Sequence, residues 1–448
     1  MNRRDFLKHT AITSAAAALA GRRGAAAQPA PSDRITLGLI GTGARVQQLI
    51  GATQQIPGVE IVALCDAYTG RAERARQRTG GRAAIVGSHR DVIGRADVDA
   101  VIIGTPDHLH TPIALEALAA GKDCYIEKPM TYTVDEGLQI IEAANRAKRI
   151  VQVGSQGMSS SLNARAREIV RSGRLGRVTM IRASYNRNTA GGAWIYPIPP
   201  DASPATVSWD QFLGPAPKRP FDLERFFRWR CYWDYSGGIS GDLFVHLLTT
   251  IHYVMGAKVP GTVLASGELY RWTESREVPD TVNAVLIYPE GFTVNLSSTF
   301  NNQSASESGF EILGTEGSLA FRGGRLSFTA ENVRDDNRWI TDSWPEALQQ
   351  AYHADPAVQA RESPGTWPQQ MRPESERWEE IGRNTDVIHL ENFVQAVRTR
   401  QEPEQDARIG HYAASGAHMV NLALRNEARV RWDFSRDRVK GEARSSGD

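Results

Sequence analysis

The chain has few of the features that mark disulfide-stapled, membrane-spanning or nucleic-acid-binding proteins. Its 448 residues include only three cysteines, none in a Cys-x-x-Cys pair, which excludes a disulfide framework and argues against a structural zinc site. No uninterrupted apolar run approaches the ~20 residues that a membrane-spanning helix needs. The 52 lysines and arginines are balanced by 51 acidic residues, whereas nucleic-acid binders usually carry a basic excess. We therefore expect no nucleic-acid partner and no membrane anchor.

The composition does supply material for packed cores. Hydrophobic residues make up 41% of the chain, which excludes a disordered protein. At ~150 residues per domain, the length favours two or three domains. Changes of pattern predict a leader and linker over residues 1–32, a first domain over 33–155 and a second domain over 156–435.

The first thirty residues have the pattern of a cleavable export signal. Arg3-Arg4 is followed by Phe6-Leu7-Lys8, then by an alanine-rich stretch and the small residues Ala25–Ala27. This order resembles the twin-arginine signal of bacteria, which exports folded proteins. The alternative is a basic amphipathic N-terminus. We expect the twin-arginine machinery as a partner and a periplasmic or secreted location, and no cysteine near the cleavage site would take a lipid.

Strands and helices alternate through the first domain. Short apolar runs at 35–40, 59–64, 100–103, 123–126 and 150–153 are typical of strands buried on both faces, and helical stretches separate them. Thr133 and Glu136 form the pattern of a capping box at the start of one helix. This order predicts an α/β fold with an N-terminal Rossmann-type, doubly wound parallel sheet.

A glycine-containing turn follows the first strand and predicts a nucleotide site. It reads Gly41-Thr42-Gly43-Ala44-Arg45, with Val46 in place of the third glycine of Gly-x-Gly-x-x-Gly. We read Val46 as a sign of looser helix–strand packing. Asp66 ends the second strand, where a carboxylate can accept hydrogen bonds from ribose hydroxyls and would repel a 2′-phosphate. NAD is therefore favoured over NADP, and the alternative for Asp66 is an ordinary turn residue.

Two further segments end strands of the same sheet and carry a family resemblance. They are Gly104-Thr105-Pro106-Asp107-His108-Leu109-His110 and Glu127-Lys128-Pro129. With these motifs the chain resembles the Gfo/Idh/MocA family of NAD(P)-dependent oxidoreductases. The resemblance implies that Lys128 reaches the oxygen of the reacting carbon and that Glu127 and Pro129 shape the nicotinamide pocket, with Pro129 after a cis bond. The predicted cofactor-binding residues are Gly41, Thr42, Gly43, Ala44, Arg45, Asp66, Thr105, Pro106, His108, His110, Glu127, Lys128 and Pro129.

The second domain contributes an acid and a histidine at helical spacing. Asp242 and His246 follow Gly237-Gly238 and stand four residues apart, which predicts one helix face and an imidazole oriented by the carboxylate. The family resemblance implies that His246 is the general base or acid and that Asp242 fixes it and contacts a sugar hydroxyl. Thr249 stands where relatives often have an aspartate. The alternative is a capping Asp and a core His.

The remainder of the second domain predicts an α+β unit. Successive strand-like segments without intervening helices favour a large, open, mostly antiparallel sheet, which relatives often use for subunit pairing, so a homo-oligomer (dimer or tetramer) is expected. Residues 330–384 read as an irregular insertion and 386–428 as core-packed helices. His389, His411 and His418 lack carboxylates at ligand spacing, so no metal site is expected.

These expectations lead to one favoured function and two alternatives. The favoured one is hydride transfer between a nicotinamide cofactor and a secondary hydroxyl of a carbohydrate, with Lys128, Asp242 and His246 catalytic. Asn186, Asn188, Trp233 and Tyr235 are further substrate-binding candidates. Because the periplasm has no free NAD pool, the nucleotide would be retained through turnover. The alternatives are a redox-assisted glycoside hydrolase or lyase, whose members often lack the lysine of Glu-Lys-Pro, and a non-catalytic nucleotide-retaining sugar-binding protein.

Overall fold

The computed structural model describes residues 34–302, 309–331, 337–362 and 375–440. The leader expected over residues 1–32 lies outside this part of the chain. Within it, no helix is long and apolar enough to cross a membrane.

A six-stranded parallel sheet forms the first unit. Its spatial order is β3-β2-β1-β4-β5-β6, with β1 Ile35–Ile40, β2 Val59–Cys65, β3 Ala84–Ile85, β4 Ala100–Ile103, β5 Asp123–Glu127 and β6 Val151–Gly154. The five strands expected from the apolar runs are confirmed to within a residue at each end, and the two-residue strand β3 is an addition. The strand order reverses between β1 and β4, because β2 and β3 are added on one side of β1 and β4 to β6 on the other. Such a switch point opens a crevice at the carboxyl ends of the strands.

Helices cover both faces of this sheet. They are α1 Ala44–Thr53, α2 Thr69–Arg78, α3 His89–Ile93, α4 Asp107–Ala119 and α5 Val134–Ala147. The capping box is confirmed at the start of α5, where Glu136 accepts the backbone N–H of Thr133 at 3.1 Å. The helix α13, Thr385–Thr399, packs on the same core although it comes from the far end of the chain. Phe393 lies 5.7 Å from the ring of Tyr125.

A ten-stranded sheet forms the second unit. Its order is β14-β13-β12-β11-β7-β10-β9-β8-β15-β16, and all neighbours are antiparallel except β7 and β10. The strands are β7 Val178–Ser184, β8 Thr262–Glu268, β9 Thr281–Ile287, β10 Thr293–Thr299, β11 Gly309–Gly314, β12 Gly317–Arg322, β13 Arg325–Ala330, β14 Ser375–Glu379, β15 Val430–Asp433 and β16 Arg438–Val439. The predicted large, mostly antiparallel sheet is confirmed. Alternate residues of β9 are buried and exposed, so one face packs on helices and the other is exposed.

The helices of the second unit are α6 Ser161–Arg171, α7 Trp209–Leu213, α8 Leu223–Phe227, α9 Val245–Met255, α10 Arg338–Thr341, α11 Glu346–Ala354, α12 Pro356–Arg361 and α14 Ala407–Arg425. A π-helical segment, Ser240–Phe244, leads directly into α9. The stretch 330–384, expected to be irregular, contains α10, α11, α12 and the sheet strand β14. The sequence pattern did not predict these elements, because they lie at the molecular surface, where little apolar periodicity is required.

Candidate active site

A cleft of about 590 Å³ opens at the carboxyl ends of the first sheet. The loops after β1, β2, β4 and β5 form one wall, and the segment between β7 and the π-helical turn forms the other. Nine of the predicted site residues line it together: Gly41, Gly43, Ala44, Arg45, Asp66, Thr105, Pro106, Glu127 and Lys128. The structure therefore brings motifs that are distant in sequence to a single surface.

The loop after β1 is shaped by two glycines with different physical roles. Gly41 has φ +78°, and a Cβ there would lie 2.9 Å from backbone atoms of Gly104 and Thr105. Gly43 precedes α1 with φ −63°, and a Cβ there would meet nothing within 4 Å. Gly41 is thus required by the fold itself, whereas Gly43 leaves an open cradle at the helix N-terminus.

We had expected the missing third glycine to loosen the packing of α1 against the sheet, but the structure shows tight packing. Val46 is fully buried, and a Cβ on Gly104 would lie 2.2 Å from its Cγ2 atom. The close approach is therefore preserved because the small residue stands on the β4 loop instead of on α1.

The carboxylate of Asp66 is fixed at the end of β2. Its Oδ2 accepts the backbone N–H of Thr42 at 2.6 Å, and its Oδ1 accepts that of Tyr68 at 2.8 Å. Thr42 is fully buried, so it holds Asp66 from behind rather than facing the cleft.

Arg45 links three parts of the chain at the cleft wall. It donates to Glu127 at 2.9 Å and makes two bonds, of 2.9 and 3.1 Å, to Asp386 near the start of α13. Although burial alone would lower it, the pKa of Arg45 is raised far above its usual value by these carboxylates. Its side chain is therefore a permanently charged part of the scaffold.

The two histidines of the β4 loop support the cleft from behind. His108 is buried with its Nε2 atom 2.9 Å from the carbonyl of Phe212, and His110 lies between the carbonyls of Thr105 and Pro129 at 2.9 and 2.7 Å. Neither ring lines the cleft, and both support the loop after β4, so their contact with the cofactor stays a prediction. The Lys128–Pro129 bond is cis, as the resemblance implied.

A buried charge cluster stands at the inner end of the cleft. The Nζ of Lys128 donates to the Oδ1 and the backbone carbonyl of Asp242, both at 2.8 Å, and Arg230 donates to the same Oδ1 at 3.0 Å. Burial alone would raise the pKa of Asp242, but the ammonium and the guanidinium lower it far below its usual range. Asp242 is therefore a permanent anion that aligns two cations.

The predicted orientation of His246 by Asp242 is not what the structure shows. Asp242 lies in the π-helical segment, whose i→i+5 hydrogen bonds make a wider turn and break the i, i+4 alignment. Its carboxylate contacts Lys128 and Arg230, and in the described parts of the chain the His246 ring has no hydrogen-bond partner. Burial, and then the charge of Lys128, lower the pKa of His246 to about 3, so its imidazole is neutral.

Sequence reasoning missed two members of this cluster. Arg230 lies over the ring of Trp229 at 4.1 Å and donates to Asp242. Asp107 is buried on the cleft wall and accepts the backbone N–H of Gly237 at 3.1 Å. Burial raises the pKa of Asp107 to about 6, although Arg230 opposes the shift. Asp107 lies within the segment Gly104–His110 that was singled out from the sequence, but no local pattern predicts a role for Arg230.

Of the predicted substrate-binding residues, Lys128 lines the cleft, whereas Asp242, His246 and the four further candidates do not. The Asn186 side chain accepts the backbone N–H of Thr299 at 3.1 Å beside the open face of the second sheet. Asn188 is half-buried after β7. Trp233 lines a separate cavity of about 330 Å³. Tyr235 is fully buried, 4.7 Å from the ring of Phe212. We had chosen these four for their polarity and their position in the sequence. Tyr235 is fully buried, and Asn186 and Trp233 line other cavities, so the structure does not place these three at the cleft.

Comparison with known protein families shows to which family the chain belongs. A model described as "Oxidoreductase family, NAD-binding Rossmann fold" matches residues 35–155, and a model of the GFO/IDH/MocA C-terminal domain matches residues 205–320. The chain belongs to the Gfo/Idh/MocA family of oxidoreductases. A model of the twin-arginine translocation signal matches residues 1–20, which confirms the predicted type of leader.

Curated relatives in the family carry two kinds of name. An inositol 2-dehydrogenase of Gluconacetobacter diazotrophicus is 35% identical over 157 residues, which cover 35% of this chain and 47% of that protein. A glycosyl hydrolase family 109 protein of Shewanella sp. (strain ANA-3) is 34% identical over 172 residues, covering 33% of this chain and 38% of that protein. The chain therefore spans less than half the length of these relatives.

Solved structures share the fold over most of the chain. A levoglucosan dehydrogenase in complex with NADH and levoglucosan has a TM-score of 0.63 at 20% identity, covering 89% of this chain and 99% of that one. The aldose-aldose oxidoreductase of Caulobacter crescentus, complexed with glycerol, has a TM-score of 0.64 at 19% identity with the same coverage.

The residues of this Gfo/Idh/MocA chain fit a dinucleotide. The open cradle at Gly43 lies at the positive N-terminus of α1, where backbone N–H groups can bind a diphosphate. Asp66 presents a fixed carboxylate at the position that suits ribose hydroxyls. In the described residues, no group of three or more His, Cys, Asp or Glu side chains is arranged to hold a metal ion.

Proposed function

We propose that the protein oxidises a secondary hydroxyl of a sugar or polyol, or catalyses the reverse reduction, with NAD as the cofactor. The observation that carries this proposal is the ammonium of Lys128, aligned by Asp242 on the wall of the cleft that begins at the glycine loop. An ammonium in that position stabilises negative charge on a substrate oxygen.

The chain's own residues account for the proton in this reaction. The neutral imidazole of His246 takes the hydroxyl proton while Lys128 holds the oxygen, so that a carbonyl forms as the C–H bond breaks. A bound nicotinamide dinucleotide supplies the acceptor for the departing hydride. Arg230 keeps Asp242 ionised and in place, which keeps the ammonium of Lys128 directed at the cleft.

We further propose that the nucleotide is NAD and that it is retained through turnover. The negative charge of Asp66 disfavours a 2′-phosphate. The twin-arginine signal supports export to the periplasm or beyond, where no pool of free NAD exists. A retained cofactor would be reduced by one substrate and reoxidised by another, or within one catalytic cycle.

The carbohydrate substrate and the assembly complete the proposal. Neighbours of the same fold are sugar dehydrogenases, which supports a carbohydrate substrate. Assembly as a dimer or tetramer would use the open face of the ten-stranded sheet. Size determination by light scattering tests this part, and a monomer at micromolar concentration would contradict it.

Redox-assisted glycoside cleavage is the second candidate, because curated relatives bear glycosyl hydrolase family 109 names. In that reaction, transient oxidation at C3 acidifies the C2 proton, elimination expels the aglycone, and hydration and reduction follow. The presence of Lys128 in the Glu-Lys-Pro motif favours the dehydrogenase. A non-catalytic sugar-binding role remains the third reading and predicts sugar binding without any change in nicotinamide redox state.

One experiment separates the three readings. The mature protein is purified after export, and its nucleotide is identified by mass spectrometry after denaturation. Sugars and polyols are then screened by the absorbance of the reduced nicotinamide, and p-nitrophenol release from aryl glycosides is followed without added NAD. The dehydrogenase predicts sugar-dependent reduction without p-nitrophenol release. Absence of nucleotide after gentle purification would contradict retention, and absence of binding to added NAD would contradict the function.

A further inference from the structure

A long segment of the second unit lies across the nucleotide cleft. We call residues 196–230 the strap; it contains α7 and α8 and ends shortly before the π-helical turn. Eight cleft-lining residues belong to it: Tyr196, Pro197, Gln211, Phe212, Phe226, Phe227, Trp229 and Arg230. The first sheet and the strap therefore form opposite walls of one cleft.

The strap is attached to the first unit directly beyond Asp66. The backbone N–H of Ser208 donates to the carbonyl of Ala67 at 2.7 Å, and that of Thr69 donates to Thr206 at 3.0 Å. Between these bonds, the hydroxyl of Tyr68 donates to Oδ1 of Asp201 at 2.6 Å. This is the one contact in the set between two side chains, so it can be removed without altering the backbone.

Aromatic side chains of the strap continue this contact along the cleft. The ring of Phe227 lies 5.3 Å from that of Tyr68, and the Arg71 guanidinium lies 5.1 Å from Phe227 and 5.6 Å from Phe226. At the neighbouring turn, the side chain of Gln211 donates to the carbonyl of Gly87 at 2.8 Å. Phe226 and Phe227 line the same cleft as Asp66, and because the two rings are only 2% and 3% exposed they form a packed apolar wall there.

We propose that the strap encloses the adenine end of the bound dinucleotide and that the Tyr68–Asp201 hydrogen bond is its latch. The proposal rests on the proposed function, since it requires a dinucleotide whose ribose is held by Asp66. With the ribose there, the base lies between the first sheet and the strap. Nucleotide then enters and leaves only when the strap detaches, which explains how an exported protein keeps its cofactor.

The test measures nucleotide exchange rather than catalysis. The purified mature protein, carrying NAD, is mixed with excess isotopically labelled NAD, and the bound label is followed by mass spectrometry. Tyr68→Phe keeps the ring packing and removes the hydroxyl, and Asp201→Asn removes the charge of the acceptor from the other side. Because the lost bond has a charged acceptor, we expect dissociation to accelerate by about 10- to 100-fold in Tyr68→Phe.

The pattern of rates distinguishes a latch from a direct contact. The Tyr68–Asp201 bond would close the cleft whether or not nucleotide is bound, so its loss should speed association and dissociation together and leave Kd unchanged. The matched control is Tyr270→Phe, because Tyr270 is 67% exposed on the second unit. Thermal unfolding of each variant checks that the fold is retained, and Asp201→Asn serves if Tyr68→Phe does not fold.

Each outcome has a distinct meaning. Wild-type exchange rates in Tyr68→Phe and Asp201→Asn would overturn the latch while leaving the proposed function intact. Faster dissociation without faster association would also overturn it, because that pattern reports a lost nucleotide contact. A wild-type protein that neither carries nor binds NAD would overturn the proposed function, and the latch with it.

Discussion

Replacing Gly43 by alanine tests whether the loop after β1 is shaped for a diphosphate. The backbone at Gly43 has φ −63°, which any residue adopts, and an added Cβ would meet nothing within 4 Å. The protein alone therefore has room for the methyl group. With a diphosphate bound at the N-terminus of α1 there is no such room, because the methyl group projects into the cradle that the diphosphate must occupy.

The structure sets the size of the two expected effects. As the residue before α1, alanine is a poorer cap than glycine, so the free energy of unfolding without nucleotide should fall by only about 0.5–1 kcal/mol. Nucleotide affinity should fall by about 10²-fold, the equivalent of roughly two lost hydrogen bonds to charged oxygens. The substitution thus separates binding from folding.

Gly41→Ala provides the opposite case. Its φ of +78° is left-handed, and the new Cβ would lie 2.9 Å from backbone atoms of Gly104 and Thr105. The left-handed conformation alone costs about 1–2 kcal/mol, and the backbone overlap adds to it. Gly191→Ala is the neutral control, because a Cβ there also meets nothing within 4 Å but lies outside the cleft lining.

The assay combines chemical unfolding of nucleotide-free protein with NAD titration. We expect Gly43→Ala to unfold close to wild type and to lose most of the stabilisation that added NAD gives, since stabilisation follows the ratio of ligand concentration to Kd. Wild-type affinity in Gly43→Ala would refute the assignment of the diphosphate cradle. Destabilisation of Gly43→Ala as large as that of Gly41→Ala would refute the claim that the cradle is open.

Three further predictions concern the charge cluster and the buried histidines. Lys128→Ala and His246→Ala should each lower turnover by roughly 10²–10⁴-fold, whereas the exposed Lys258→Ala should not; wild-type steady-state rates in the first two would contradict their roles. Asp242→Asn leaves two partly buried cations, with side chains 11% and 24% exposed, without their carboxylate. Denaturant unfolding should therefore show a loss of about 2–3 kcal/mol, below the ~3–5 kcal/mol of a fully buried pair, and a loss below about 1 kcal/mol would mean that solvent screens the cluster. Acid should also destabilise the fold, because burial lowers the pKa of seven histidines, which stay neutral when folded and take up protons on unfolding below their ordinary pKa. Asp107, whose pKa burial raises to about 6, acts in the opposite sense, since it gives up a proton on unfolding above its ordinary pKa. The histidines are His108, His110, His246, His252, His389, His411 and His418. The free energy of unfolding should therefore fall as the pH is lowered from about 6.5 to about 5, with a net uptake of protons on unfolding, and a flat profile would show that these rings are solvated.

The sequence by itself determined the features that depend on neighbouring residues. The nearly continuous apolar run Ile35–Ile40 and the continuous run Ala100–Ile103 coincide with β1 and β4, because a strand buried on both faces needs apolar residues on both sides. The glycine turn, Asp66 and Lys128 were found for a related reason. Each follows a strand directly, so the parallel topology carries it to the same edge of the sheet.

The tertiary structure alone decided which side chains meet across the cleft. Spacing paired Asp242 with His246, but the π-helical turn breaks that alignment, and the carboxylate instead binds Lys128, 114 residues away, together with Arg230. The strap over the cleft and the packing of α13 on the first core are likewise contacts between distant parts of the chain. Local pattern reports burial and backbone conformation, whereas a buried charge takes whichever partner the packed fold brings within hydrogen-bond distance.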